Sequence, residues 1–128
     1  MGILVDTSIL IDLERSDVQV DLLFPGEELY LAAVSASELL HGVYRANSEL
    51  RRKQRHNYVE AILTAIPTLP FDLGVARVYA QIWADLVGSG FNIGAHDMQI
   101  AATALHYDMG VYTANVRHFS KIPDLRLV

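Results

Sequence analysis

No cysteine occurs in the 128 residues, so neither a disulfide framework nor a thiolate metal site can exist. No apolar run approaches the roughly 20 residues that a bilayer-spanning helix needs. The N-terminus lacks a basic segment followed by an apolar stretch and a small-residue cleavage site. That argues against a signal peptide and for a cytoplasmic chain without membrane contact. Repeats, low-complexity tracts and linker-like segments are also missing, which leaves a single domain over 1–128. Basic residues are the minority, 10 Lys and Arg against 15 Asp and Glu, for a net charge of −5. This balance weighs against a general nucleic-acid coat. It leaves a nuclease open, because a carboxylate cluster that binds metal makes its own domain acidic. Hydrophobic residues make up 52% of the chain, enough for a packed core and too many for a disordered one.

What the chain does have begins at Ile3-Leu4-Val5-Asp6-Thr7-Ser8. An apolar run stops at a carboxylate and two hydroxyls, and then resumes with helical spacing. Ile3 to Val5 reads as a strand buried on both faces, as in a parallel sheet. Asp6 therefore stands where strand gives way to helix, the edge at which open parallel sheets bind ligands. A bare carboxylate there costs desolvation energy unless a cation meets it. Asp6 is accordingly the first candidate metal ligand.

Strand and helix patterns alternate along the chain, the mark of an α/β domain. Helical patterns are expected over 8–15, 18–24, 35–46, 48–66, 73–87 and from His96 or Asp97 to Tyr107. On the helix over 48–66, Leu50, Tyr58, Val59, Ile62, Leu63 and Ile66 fall near one face, and Pro67 ends it. Strands are expected over 29–34, 68–71, 111–113 and 125–128. Gly110 reads as a helix C-terminal cap.

Two further carboxylates join Asp6. Glu38 sits in Ser35-Ala36-Ser37-Glu38, where Ser35 and Glu38 fit a capping box. Because that helix follows the second strand, Glu38 also projects from the edge that carries Asp6. Asp97 opens an apolar helix after a glycine-punctuated loop, a position that capping and the helix dipole alone would favour. Three carboxylates at strand ends and helix mouths suit Mg²⁺, with Mn²⁺ able to substitute, since such hard ions prefer oxygen ligands.

Together these residues resemble the PIN domain family, and within it the VapC-like ribonuclease toxins of type II toxin–antitoxin pairs. The landmarks are Asp6-Thr7-Ser8 with Ile11 and Asp12, Ser37-Glu38-Leu39 with Gly42 and Arg45, His96-Asp97 with Ile100 and Ala101, and Thr113-Ala114-Asn115 with Phe119. The resemblance implies an α/β fold, a PIN-like three-layer sandwich. In it a mainly parallel sheet of roughly four to five strands is flanked by helices. It implies a Mg²⁺-dependent endoribonuclease that leaves a 3′-hydroxyl and a 5′-phosphate, and a small antitoxin that neutralises it. In that scheme Asp6 and Asp97 hold the metal and Glu38 completes the catalytic acids. Thr7 and Ser8 support Asp6, and Thr113 and Asn115 contribute from the end of the fourth strand. The chain departs from the pattern at His118, where many relatives carry an acid. Three carboxylates rather than four bring a second metal into question. His118 itself is expected at the surface.

Substrate grip has to come from local positive charge. Arg45, His96 and Arg117 are the candidates nearest the acids. Arg51-Arg52-Lys53-Gln54-Arg55-His56 is the densest basic run, readable either as a phosphate track or as a solvated helix face. Leu13, Leu22, Leu23, Phe24, Tyr79, Trp83 and Val87 are expected to be mostly core. Some of them would serve a homodimer face or an antitoxin groove. Three alternatives compete: a PIN-type nuclease in RNA processing without antitoxin, a degenerate PIN module that binds without cutting, and an acidic receiver-type domain. The last needs a lysine near the acids, and only Lys53 and Lys121 exist.

Overall fold

The computed structural model describes residues 2–16, 19–20 and 23–128. In chain order the elements are β1 (Ile3–Val5), α1 (Thr7–Ser16), β2 (Leu29–Ala32), α2 (Ala33–Tyr44) and α3 (Glu49–Ala65). They continue with β3 (Thr68–Leu69), α4 (Leu73–Ser89), α5 (Ala95–His106), β4 (Gly110–Tyr112) and α6 (Val116–Phe119). The strands form one four-stranded sheet of order β3-β2-β1-β4. Every pairing is parallel, with Ile3 opposite both Leu29 and Gly110, and Val5 opposite Tyr112.

Two apolar cores explain the sandwich. Side chains alternate along a strand, so β1 feeds both. Leu4 joins Val75, Ile82, Leu86 and Ile100 on the face covered by α4 and α5. Ile3 and Val5 join Leu10, Leu39, Val59 and Ile62 on the face covered by α1, α2 and α3. Burial on both faces is why this strand carries no polar residue before Asp6.

Local chemistry sets the helix ends. Ser48 caps α3 by accepting from the Arg51 amide at 3.1 Å. Pro67 forces extended backbone on Ile66 and stops the helix there. Asp72 caps α4 through the Val75 amide at 3.0 Å. Gly90 closes α4 with φ 75°, where a Cβ would be strained.

Several expectations need correction. The segment 125–128 contributes a single bridge, Leu127 beside Val111, rather than a fifth strand. Gly110 begins β4 instead of capping α5, and Asp108 takes the left-handed turn at φ 55°. Gly110 is still needed: a Cβ there would lie 2.5 Å from Cγ2 of Val128. Leu50 is 67% exposed, outside the core face assigned to it. Of the early apolar residues, Leu13 is core, whereas Trp83 and Val87 on α4 are exposed. Asp17, Val18, Asp21 and Leu22 lie outside the described residues, and with them three positions of the helix expected over 18–24. No described helix is long and apolar enough to cross a membrane.

Candidate active site

Asp6 follows β1 directly, and its amide donates to the Tyr112 carbonyl at 2.9 Å. The strand pairing thereby runs one residue further and fixes the backbone under the carboxylate. Asp6 is only 3% exposed, and three donors hold it. The Thr7 amide donates to Oδ1 at 2.9 Å, Ser8 Oγ to Oδ2 at 2.8 Å, and Thr113 Oγ1 to Oδ2 at 2.7 Å. The two hydroxyls are steadied in turn. Ser8 Oγ accepts the Ala114 amide at 3.1 Å, and Thr113 Oγ1 accepts the Asn115 amide at 2.9 Å. Donors aimed at a buried carboxylate offset its desolvation and fix its orientation.

A second carboxylate is tied to the same corner. Thr7 Oγ1 donates to Glu38 Oε1 at 3.0 Å. The other oxygen, Oε2, lies 3.4 Å from Nδ1 of His96 at the start of α5. The adjacent residue is Asp97, whose Oδ2 lies 3.1 Å from Nδ1 of His118 on α6. Contacts thus link Asp6 with Thr7, Thr7 with Glu38 and Glu38 with His96, while Asp97, the chain neighbour of His96, faces His118. Side-chain exposure is 32% for Glu38 and 21% for Asp97, so both meet solvent while Asp6 lies beneath. Among the described residues no Lys or Arg pairs with any of the three acids; Glu38 and Asp97 each face an imidazole nitrogen.

The capping box does not form. α2 begins at Ala33, with Ala32 as its cap and no side-chain capping bond. Ser35 is therefore inside the helix, fully buried, and its hydroxyl has no partner among the described residues. Glu38 is left free to face Thr7 and His96. Asn115 takes part through its backbone amide. Arg117 is exposed on α6 and makes no described side-chain contact with the acids. His118 is exposed, as its sequence position suggested, but it also contacts Asp97. No local pattern signals this contact, which depends on how α6 packs against α5.

Positive charge begins beside the acids. A cleft of about 360 Å³ is lined by Thr7, Glu38, Arg15, Arg45 and Arg55, with Ile11, Glu14, Leu39, Gly42 and Val59 completing its walls. Arg45 follows Glu38 by two helical turns and does share its side of α2, as the spacing requires.

The donor set suits a hard divalent cation in its chemistry, being carboxylate oxygen throughout. No group of three or more His, Cys, Asp or Glu among the described residues forms a ready-made ligand cage.

With this geometry in hand, the likeness to known proteins is informative. A family profile described as PIN domain matches residues 3–125. Ribonuclease VapC of Rickettsia bellii (strain RML369-C) is 36% identical over 128 residues, covering 100% of this chain and 96% of that protein. Among solved structures, VapBC2 from Rickettsia felis, bound to a DNA fragment from their promoter, superposes with a TM-score of 0.90. It shares 21% identity and covers 100% of this chain and 98% of that one. VapBC-5 from Mycobacterium tuberculosis, a member of the VapBC family of toxin–antitoxin systems, superposes with a TM-score of 0.78. Its identity is 28%, with 99% and 98% of the two chains covered.

Proposed function

Because the chain belongs to the PIN domain family, we propose that it is an endoribonuclease toxin of the VapC kind, neutralised by a small antitoxin protein. Its proposed reaction is Mg²⁺-dependent hydrolysis of RNA phosphodiester bonds in the cytoplasm, with Mn²⁺ able to substitute. The observation that carries this reading is that Asp6 and Glu38, joined through Thr7, stand at one edge of the sheet beside the His96-Asp97 start of α5.

Asp6 and Asp97 are the residues that would hold the metal. When bound, that ion supplies Lewis-acid activation of water and offsets charge on the phosphoryl oxygens. The protein's own residues have separate tasks. Thr7, Ser8 and Thr113 hold the Asp6 carboxylate in one orientation, so that no reorganisation is needed when substrate arrives. Asn115 anchors Thr113 through its amide. Glu38, with Oε1 fixed by Thr7, presents Oε2 to accept a proton from the attacking water. Arg45, His96 and Arg117, all exposed, contact the RNA phosphates.

The test is cleavage of total cellular RNA by the purified protein freed of any bound inhibitor. Mg²⁺, Mn²⁺ and a chelator are compared, beside Asp97→Asn. Discrete fragments that need metal and Asp97 are expected. A well-folded protein that neither cuts RNA nor binds metal would overturn the reading in favour of a binding module.

A further inference from the structure

The cleft that opens at Thr7 and Glu38 does not end at Arg45. A second hollow, about 180 Å³, is lined by Arg45, Ala46, Asn47, Arg51 and Arg55, so that Arg45 and Arg55 belong to both. Three guanidinium groups border this one polar space. Arg55 is anchored: its Nε lies 3.3 Å from Glu14 Oε1, and its Nη1 donates to the Gly42 carbonyl at 3.4 Å. The side chains of Arg45 and Arg51 make no ion pair or hydrogen bond among the described residues. Glu14 offsets one of the three charges; the two that remain repel each other and favour an anion between them.

The helix geometry separates the basic run into two sets. Arg51 and Arg55 stand one turn apart on α3, on one face, and meet Arg45 at the end of α2. Arg52, Lys53 and His56 instead border a hollow with Leu40, Val43 and Tyr44. Only the first set continues the cleft that leads to Glu38.

We infer that the Arg45–Arg51–Arg55 hollow is a phosphate subsite that seats an RNA backbone phosphate to one side of the scissile bond. It rests on the ribonuclease reading above. The seven residues from Glu38 to Arg45 span about 10 Å of helix at 1.5 Å per residue, which places the subsite outside the reacting centre. The planar guanidinium fork suits a phosphate's paired oxygens. Acidic protein segments would meet the same charges. The wall of Arg45 and Arg55 that this hollow shares with the Glu38 cleft favours RNA, because a strand cut beside Glu38 has to leave the site along some groove. Binding here fixes the direction in which the strand crosses the acids.

The experiment measures binding of an end-labelled, mixed-sequence single-stranded RNA oligonucleotide by anisotropy, across a salt series. The full chain carries Asp97→Asn, so that it binds without cutting. Arg51→Gln is expected to weaken binding and to reduce the slope of log K against log salt by about 0.7, and the Arg45→Gln/Arg51→Gln pair by about 1.4. Arg51→Lys should keep the slope and lose affinity, since the charge stays while the fork is lost. Arg77→Gln on α4 should change neither. In the cutting protein, Arg51→Gln should raise KM with kcat unchanged. A pair variant that folds normally yet binds with parental affinity and slope would overturn the inference. So would a pair variant with normal RNA binding and impaired binding of an acidic protein partner, which assigns the hollow to that partner. A parent that neither binds nor cuts RNA overturns the ribonuclease reading itself, and the subsite with it.

Discussion

Thr113, the first residue past β4, gives its hydroxyl proton to Oδ2 of Asp6, the first residue past β1, at 2.7 Å. Val5 and Tyr112 are register partners, so the next residue on each strand meets the other by construction. Thr113→Val keeps the shape and removes the donor. Divalent-ion affinity and RNA cleavage should fall about 10- to 100-fold, the usual cost of losing a group that orients a ligand. Thr113→Ser should restore most of both. Mn²⁺ titration beside a cleavage assay reads the pair.

Asp6→Asn and Asp97→Asn should both abolish cleavage but part company in stability. Relief of like-charge repulsion alone would make either change mildly stabilising. Asp6, however, accepts from three donors while nearly buried, and an amide satisfies that set poorly. Urea unfolding should show Asp6→Asn destabilised by about 1–3 kcal/mol. Asp97→Asn should stay within about 0.5 kcal/mol of the parent.

Ser35 and Glu38 provide a test against the capping box. A capping serine replaced by alanine costs about 1 kcal/mol. Here the Ser35 hydroxyl is buried without a described partner, so Ser35→Ala should be neutral or stabilising by thermal melt. Glu38→Gln should cripple cleavage and leave the melting temperature nearly unchanged.

Tyr58 predicts alkaline sensitivity. Burial, and then the charge of Glu14, push its pKa up to about 12 from 10.0, and its hydroxyl donates to the Leu10 carbonyl at 2.7 Å. The folded state therefore holds this proton more tightly than the unfolded chain. The resulting stability is whole below pH 10 and is lost as pH rises towards about 12. Tyr58→Phe should flatten that part of the pH–stability curve, while losing about 0.5–1.5 kcal/mol at neutral pH with the hydrogen bond. Asp72 has the opposite sign. The Val75 amide holds its carboxyl below the usual range, so its contribution is present at neutral pH and lost on acidification.

His118→Asp would set a carboxylate beside Asp97, where an imidazole now lies at 3.1 Å. Divalent-ion affinity should rise, with some loss of stability in the metal-free protein. Calorimetric titration reads the first and urea unfolding the second.

Much of this was legible in the residues, for reasons that differ by element. β1 was readable because burial on both faces leaves an unbroken apolar run, and α4 because Val75, Ile82 and Leu86 repeat at helical spacing. The positions of Asp6, Glu38 and Asp97 in the fold were readable, since each stands at a strand end or near a helix start. Their linkage was not, because His96 and His118 reach the acids from helices whose packing no local pattern records. The capping box misled because Ser35 and Glu38 have the right spacing, but the helix begins two residues earlier at Ala33. The fifth strand failed for a related reason: Leu125 to Val128 has strand composition, yet only Leu127 bridges to Val111.

The bond between Asp6 and Thr113 spans 107 positions of sequence, and this separation governs when the site comes into being. Contacts of such long range form slowly, because the loop must close before they repay its entropy. A chain still being synthesised up to α5 lacks the hydroxyl that locks the first acid. The locked acid therefore exists only once β4 docks beside β1.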